Sequence, residues 1–220
     1  MTAVLRGSTS HDDAREPSGR PLEPANEVDQ AAEALRAGQT AVLLDDVGHG
    51  HGFLMHAADR SDAELVAFMV RYSSGYLRVA VADEDAIRMK LPLMVPDGAD
   101  PDVEPFTVTV DSAHLGGTGI SAFDRAQTIR LLASPSSVPT DFTRPGHVLP
   151  VRVRDEESNE FAPYRGALQL ARRAGVAPAA AYAEIVADGD GLDLAHGVEV
   201  SIIASRLGLP VVRASRLLAQ

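Results

Sequence analysis

The chain of 220 residues has no cysteine and no tryptophan, and only one of its 20 basic residues, Lys90, is a lysine. Without cysteine there is no thiol nucleophile, thiolate metal centre, disulfide framework or iron–sulfur cluster. Schiff-base chemistry is left to Lys90 alone. Positive charge is also scarce: 20 Lys and Arg face 31 Asp and Glu, a net charge of −11. That balance argues against a basic face for nucleic acid and against adhesion to anionic lipid. No apolar run reaches the length of a membrane span, and the first residues lack the apolar centre of a secretory leader. The sequence therefore predicts a cytoplasmic protein with neither nucleic acid nor membrane as partner.

Hydrophobic residues make up 45% of the chain, enough for a core. Residues 1–26 are rich in Arg, Ser, Pro and Gly without periodicity and predict a disordered tail; residues 27–220 predict one domain. Val28, Ala31, Ala32 and Leu35 fall on one helical face that stops at Gly38, and Thr40–Leu44 reads as a buried strand ending in Asp45 and Asp46. The glycine-punctuated segment VGHGHG (47–52) predicts a loop before a second strand. Ser61 and Glu64 have the spacing of a capping box ahead of a helix through Tyr72. Phe106–Val110 and Val148–Val153 predict strands, the latter after a Pro–Gly turn. Ser121 with Asp124 predicts the cap of a helix to Ala133; Tyr164–Ala174 and Gly197–Leu207 predict further helices, and Ala180–Val186 a strand. Strands and helices alternate without strict βαβ regularity, which predicts a single mixed domain.

Several segments, in order, resemble the 3,4-dihydroxy-2-butanone 4-phosphate synthase family: ALRAGQTAVLLDD (34–46), LPLMV (91–95), FTVTVD (106–111), TGISAFDRAQTI (118–129), RPGHVLP (144–150), AEIVADGDG (183–191) and GLPVVRASRLLA (208–219). TGISAFDR and RPGHVLP at this spacing are the specific part. The resemblance implies a single α+β domain with one mixed sheet, a homodimer with active sites at the subunit interface, and a lyase acting on ribulose 5-phosphate with magnesium.

Against that pattern, the family's acidic loop after the two aspartates is replaced. Its arginine falls near His49, its magnesium-holding glutamate near Gly50 and its second glutamate near Gly52, with one residue deleted. In FAPYRGA (161–167) the metal-binding histidine position is Pro163, the phosphate-contacting threonine is Tyr164 and the next glutamate is Arg165. A family cysteine falls at Arg78, and the late pocket carboxylate persists as Glu184. Neither glycine nor proline offers a metal an oxygen, so the expectation is a site with no metal and no cofactor.

His49 and His51, one residue apart, suit acid–base catalysis or a soft metal site, or simply fill a loop. The candidate catalytic residues are His49, His51, His147, Glu184 and Asp46. The candidate substrate contacts are Arg144 as an anion clamp, Gly146, Thr118, Tyr164 and Arg165. The leading expectation is a repurposed homologue that performs elimination, isomerisation or cyclisation on a small metabolite of a specialised pathway. The alternatives are an inactive homologue that binds a metabolite or partner, and a genuine synthase.

Overall fold

The computed structural model describes residues 26–96, 104–154, 162–189 and 192–218; the expected N-terminal tail lies outside them. Helix α1 (Glu27–Arg36) buries Val28, Ala31, Ala32 and Leu35, the stripe its spacing requires, and the Asn26 side chain accepts from the Asp29 N–H at its start. The chain continues through β1 (Ala41–Leu44), β2 (Gly52–Ala57), α2 (Ala63–Tyr72), β3 (Arg78–Ala82), α3 (Asp83–Arg88), β4 (Val110–Ser112) and α4 (Ala122–Ala133). It then forms β5 (Phe142–Val153), α5 (Pro163–Ala174), β6 (Ala179–Glu184), α6 (Val198–Leu207), β7 (Val211–Arg213) and α7 (Ala214–Leu218). Gly175 and Gly208 close α5 and α6 in the left-handed conformation that favours glycine.

All seven strands form one sheet in the order β4-β5-β3-β6-β2-β1-β7. β1/β7 and β3/β5 run parallel, and the remaining pairs are antiparallel. This is the mixed α+β sheet the resemblance implies. Helices cover both faces. On one, α1 and α5 bring Leu35, Leu168 and Leu170 onto Phe53, Met55 and Tyr182. On the other, α2, α4 and α6 bring Met69, Ile129 and Ile203 onto Leu54, Val79 and Val81. Because β3 and β6 are covered on both sides, every residue of β3 is buried. Each large apolar side chain so enclosed contributes roughly 2–3 kcal/mol relative to exposure. No helix of the described residues is long and apolar enough to cross a membrane.

Three local expectations are corrected. The cap of α2 is Asp62, whose carboxylate accepts from the Leu65 N–H, while Ser61 turns inward to His56. Of Phe106–Val110 only Val110 enters a strand; Phe106 and Thr107 make isolated bridges to Val151 and Leu93. RPGH is not a turn before a strand. It lies inside β5, as a bulge between the pairs Thr143–Asp111 and Val148–Val110, with a cis Arg144–Pro145 peptide.

His56, wholly enclosed in β2, hydrogen-bonds Ser61 Oγ through Nε2 at 3.0 Å. Burial pushes its imidazole down to about 4, with the Asp62 charge pulling weakly the other way. The folded chain therefore binds fewer protons at this site than the unfolded chain between about pH 6.5 and 4. Stability contributed by neutral His56 is present above that window and is lost as pH falls through it. The loss is about 3 kcal/mol. Urea unfolding at pH 7 and at pH 4.5 checks this: wild type is expected to lose more stability between the two than His56→Gln, and equal losses would refute it.

Candidate active site

Sheet register decides which side chains meet. The C-terminal ends of β1 and β6 and the N-terminal ends of β2 and β3 lie at one end of the sheet, since Leu44 pairs with Gly52, Phe53 with Glu184 and Arg78 with Tyr182. β5 joins them, because Leu149 pairs with Arg78 and His147 lies two residues further out. The loop 45–51, Arg78, His147 and Glu184 thus share one sheet end.

The best-formed acid–base pair there is Asp111 with His147. Asp111, on β4, is buried; its Oδ2 lies 2.7 Å from His147 Nδ1 and its Oδ1 accepts from the His147 N–H at 2.9 Å. A carboxylate only accepts, so Nδ1 carries the proton and Nε2 is left to the half-exposed side of the ring. Gly146 is small because β5 presses on β4 here: a Cβ would overlap the backbone of Val110 and Asp111, and its N–H donates to Thr109 Oγ1 at 3.1 Å. Gly119, with φ +87°, leaves room for the Asp111 carboxylate in the same way and donates its N–H to Asp124 Oδ2. Ser121 and Asp124 are capping groups, as expected: Ser121 Oγ accepts from the Asp124 N–H. Thr118 is exposed on that loop.

The second group is ionic. Arg78 is buried and grips Glu184 Oε1 through Nη2, while Glu184 Oε2 accepts from Ser74 Oγ at 3.1 Å. Glu104 Oε2 lies 3.7 Å from Arg78 Nη1. Burial pushes the Glu104 carboxyl up, as does the Glu184 charge, and Arg78 pulls it down. Arg78 sits over the Tyr182 ring at 4.6 Å and the Tyr76 ring at 5.6 Å. Burial holds the Tyr182 hydroxyl well above its usual range. Tyr164, at the start of α5, packs on the apolar cluster containing Tyr182, and Arg165 follows it in the first turn.

The remaining candidates have other duties. Arg144 directs Nη1 to the Phe142 carbonyl at 3.0 Å and Nη2 to the Met89 carbonyl at 3.0 Å, so it caps the end of α3 rather than facing the open site. Both oxygens of Asp46 accept from Ser215, which ties the end of β1 to α7. Burial raises the Asp46 carboxyl, but these bonds outweigh it and hold the group below its usual value. Asp45 accepts from the Gly48 and His49 N–H groups and shapes the loop. The His49 and His51 rings are 6.0 Å apart, and His51 pairs across an isolated bridge with His196, which ties the end of the loop to the segment just before α6.

Magnesium asks for several oxygen donors in octahedral array. The described residues do not fit it: no three His, Asp or Glu side chains converge among them, Asp45 and Asp46 spend their oxygens on the backbone and Ser215, and Pro163 offers none. Sequence reasoning did not single out Asp111, and it noted Arg78 only as the position of a family cysteine. Asp111 stood inside the quoted FTVTVD, whereas nothing local marks Arg78 as the partner of a residue 106 positions away.

The family model for 3,4-dihydroxy-2-butanone 4-phosphate synthase matches residues 29–220. "Riboflavin biosynthesis protein RibBA" of Mycobacterium bovis is 42% identical over 193 residues, covering 87% of this chain and 45% of that protein, and the Mycobacterium marinum protein of the same name is equally similar. The chain thus spans less than half the length of these curated relatives. Among solved structures, a 3,4-dihydroxy-2-butanone 4-phosphate synthase in complex with two magnesium ions is 35% identical with a TM-score of 0.81, covering 87% of this chain and 94% of that one. The Candida albicans synthase is 35% identical with a TM-score of 0.79, covering 87% and 95%. Identity of this extent overturns the expectation of a repurposed enzyme of a specialised pathway. By sequence and by fold, the chain belongs to the 3,4-dihydroxy-2-butanone 4-phosphate synthase family.

Proposed function

We propose that the chain catalyses its family's reaction, converting ribulose 5-phosphate to 3,4-dihydroxy-2-butanone 4-phosphate and formate, as one domain from residue 27 onward that works as a cytoplasmic homodimer. The observation that carries the reading is the Asp111–His147 pair inside the retained FTVTVD and RPGHVLP segments. The reaction begins by moving a proton beside a carbonyl to form an enediol. An imidazole whose Nδ1–H is held by a carboxylate, with Nε2 open, is a group suited to that transfer. Glu184, fixed at the same sheet end, supplies a second carboxylate for the later proton movements. Self-association is supported by Ile120 and Phe123, apolar side chains 54% and 66% exposed beside the TGIS loop.

The test is formate release from ribulose 5-phosphate, with and without added magnesium, alongside phosphorus NMR of the product. Equal amounts of formate and a new four-carbon phosphate are expected. No formate above the protein-free baseline under either condition would overturn the reading.

A further inference from the structure

Strand alternation puts Arg78, Tyr182, Glu184 and Phe53 on one face of the sheet. Arg78 stands opposite Tyr182, Glu184 lies two residues beyond Tyr182, and Phe53 stands opposite Glu184. The guanidinium enters this face from within the sheet: its side chain is 5% exposed and that of Glu184 17%. It faces two carboxylates from different segments. It hydrogen-bonds Glu184 on β6 but only approaches Glu104. Its Nε has no hydrogen-bond partner among the described residues, so the distal nitrogens alone set its direction. The rings of Tyr182, Tyr76 and Phe53 surround the charge at 4.6, 5.6 and 6.0 Å and offset part of its desolvation.

A buried ion pair gains little net stability over apolar packing, because both charges leave water. Its distinctive effect is geometric: Arg78 takes one oxygen of Glu184 and Ser74 takes the other, which removes the carboxylate's rotational freedom. We propose that Arg78 is the positioning residue of Glu184, holding that carboxylate in a single orientation at the sheet end where the reaction occurs. This rests on the functional reading above for its catalytic consequence, but not for the grip itself. Lysine fills the role only in part, since a point charge lacks the directional planar guanidinium.

Formate release is measured for wild type, Arg78→Lys, Arg78→Met and Arg78→Ala, each checked for folding by circular dichroism. Arg78→Met is expected to lose about a hundredfold in kcat with KM within about twofold. Arg78→Lys is expected to lose about tenfold in kcat, and Arg78→Ala to recover at least about fivefold when guanidinium is supplied at sub-denaturing concentration. A folded Arg78→Met or Arg78→Lys with kcat unchanged overturns the proposal. If the neutral variants do not fold, Arg78→Lys decides. NMR of the Arg78 Nη protons is independent of activity. Resolved, slowly exchanging signals are expected in wild type and averaged ones in Glu184→Gln, while averaged signals in wild type overturn the grip. Absence of formate from wild type would sink the functional reading alone, and the Nη spectrum would still decide the grip.

Discussion

Asp111→Asn is expected to lower kcat for formate release by about a hundredfold or more while the sheet remains folded. The carboxylate accepts twice from one residue, through Oδ1 from the His147 backbone and through Oδ2 from the ring. An asparagine retains only one acceptor. If its oxygen keeps the backbone N–H, its NH2 meets Nδ1; the ring must then carry its proton on Nε2, where a base needs a lone pair. If its oxygen keeps the ring, the backbone of the RPGH bulge loses its anchor. Either way the open nitrogen is in the wrong form or the wrong place. The half-buried Arg125, which attracts Asp111 electrostatically, then faces a neutral neighbour. A steady-state comparison of Asp111→Asn with wild type decides the matter, and KM is expected to change far less than kcat. Full activity in the folded variant would remove the pair from the chemistry.

Gly146→Ala is expected to cost more than about 4 kcal/mol, enough to prevent folding or to expel the RPGH bulge from the sheet. The obstacle is not conformational freedom but space. A Cβ there would coincide with the carbonyl group of Val110 and the nitrogen of Asp111, both backbone atoms of the paired strand, which cannot swing aside. Displacing β4 to make room would also carry Asp111 away from His147. Gly116→Ala is the control: nothing lies within 4 Å of its Cβ position, and its stability should stay within about 0.5 kcal/mol of wild type. Soluble yield and thermal unfolding of the two variants check this; similar behaviour would show that β4 and β5 can part without penalty.

Helix α1, its stop at Gly38 and the Ser121 cap were legible because each depends on neighbours within a few positions. RPGH was misread for the opposite reason. Proline and glycine are local turn signals, but pairing with β4 on either side keeps the segment inside a strand and turns it into a bulge. Ser61 lost its capping place to Asp62, its immediate neighbour, because the buried His56 needed a hydroxyl. At the site, His147 and Glu184 were picked out through the resemblance, but their partners were not. Asp111 and Arg78 become partners only through register, which no spacing along the chain discloses. Asp46 and Arg144 had chemistry suited to a base and a clamp, and long-range contacts with Ser215 and the end of α3 employ both in structure.

The strand order has a consequence for how the molecule comes into being. Only β1–β2 and β4–β5 join strands adjacent in the chain, and the centre of the sheet, β5-β3-β6-β2, is made of distant partners. Such a sheet closes large loops before any contact offsets their entropy, so folding should be slow for the chain's size and its late steps should be those that form the sheet's middle. Arg78 and Glu184 meet in that middle, while Asp111 and His147 meet at its flank. The acid–base pair therefore belongs to a piece of chain that can form early, and the ion pair arrives only when β6 inserts between β3 and β2. No fragment ending before β6 carries both.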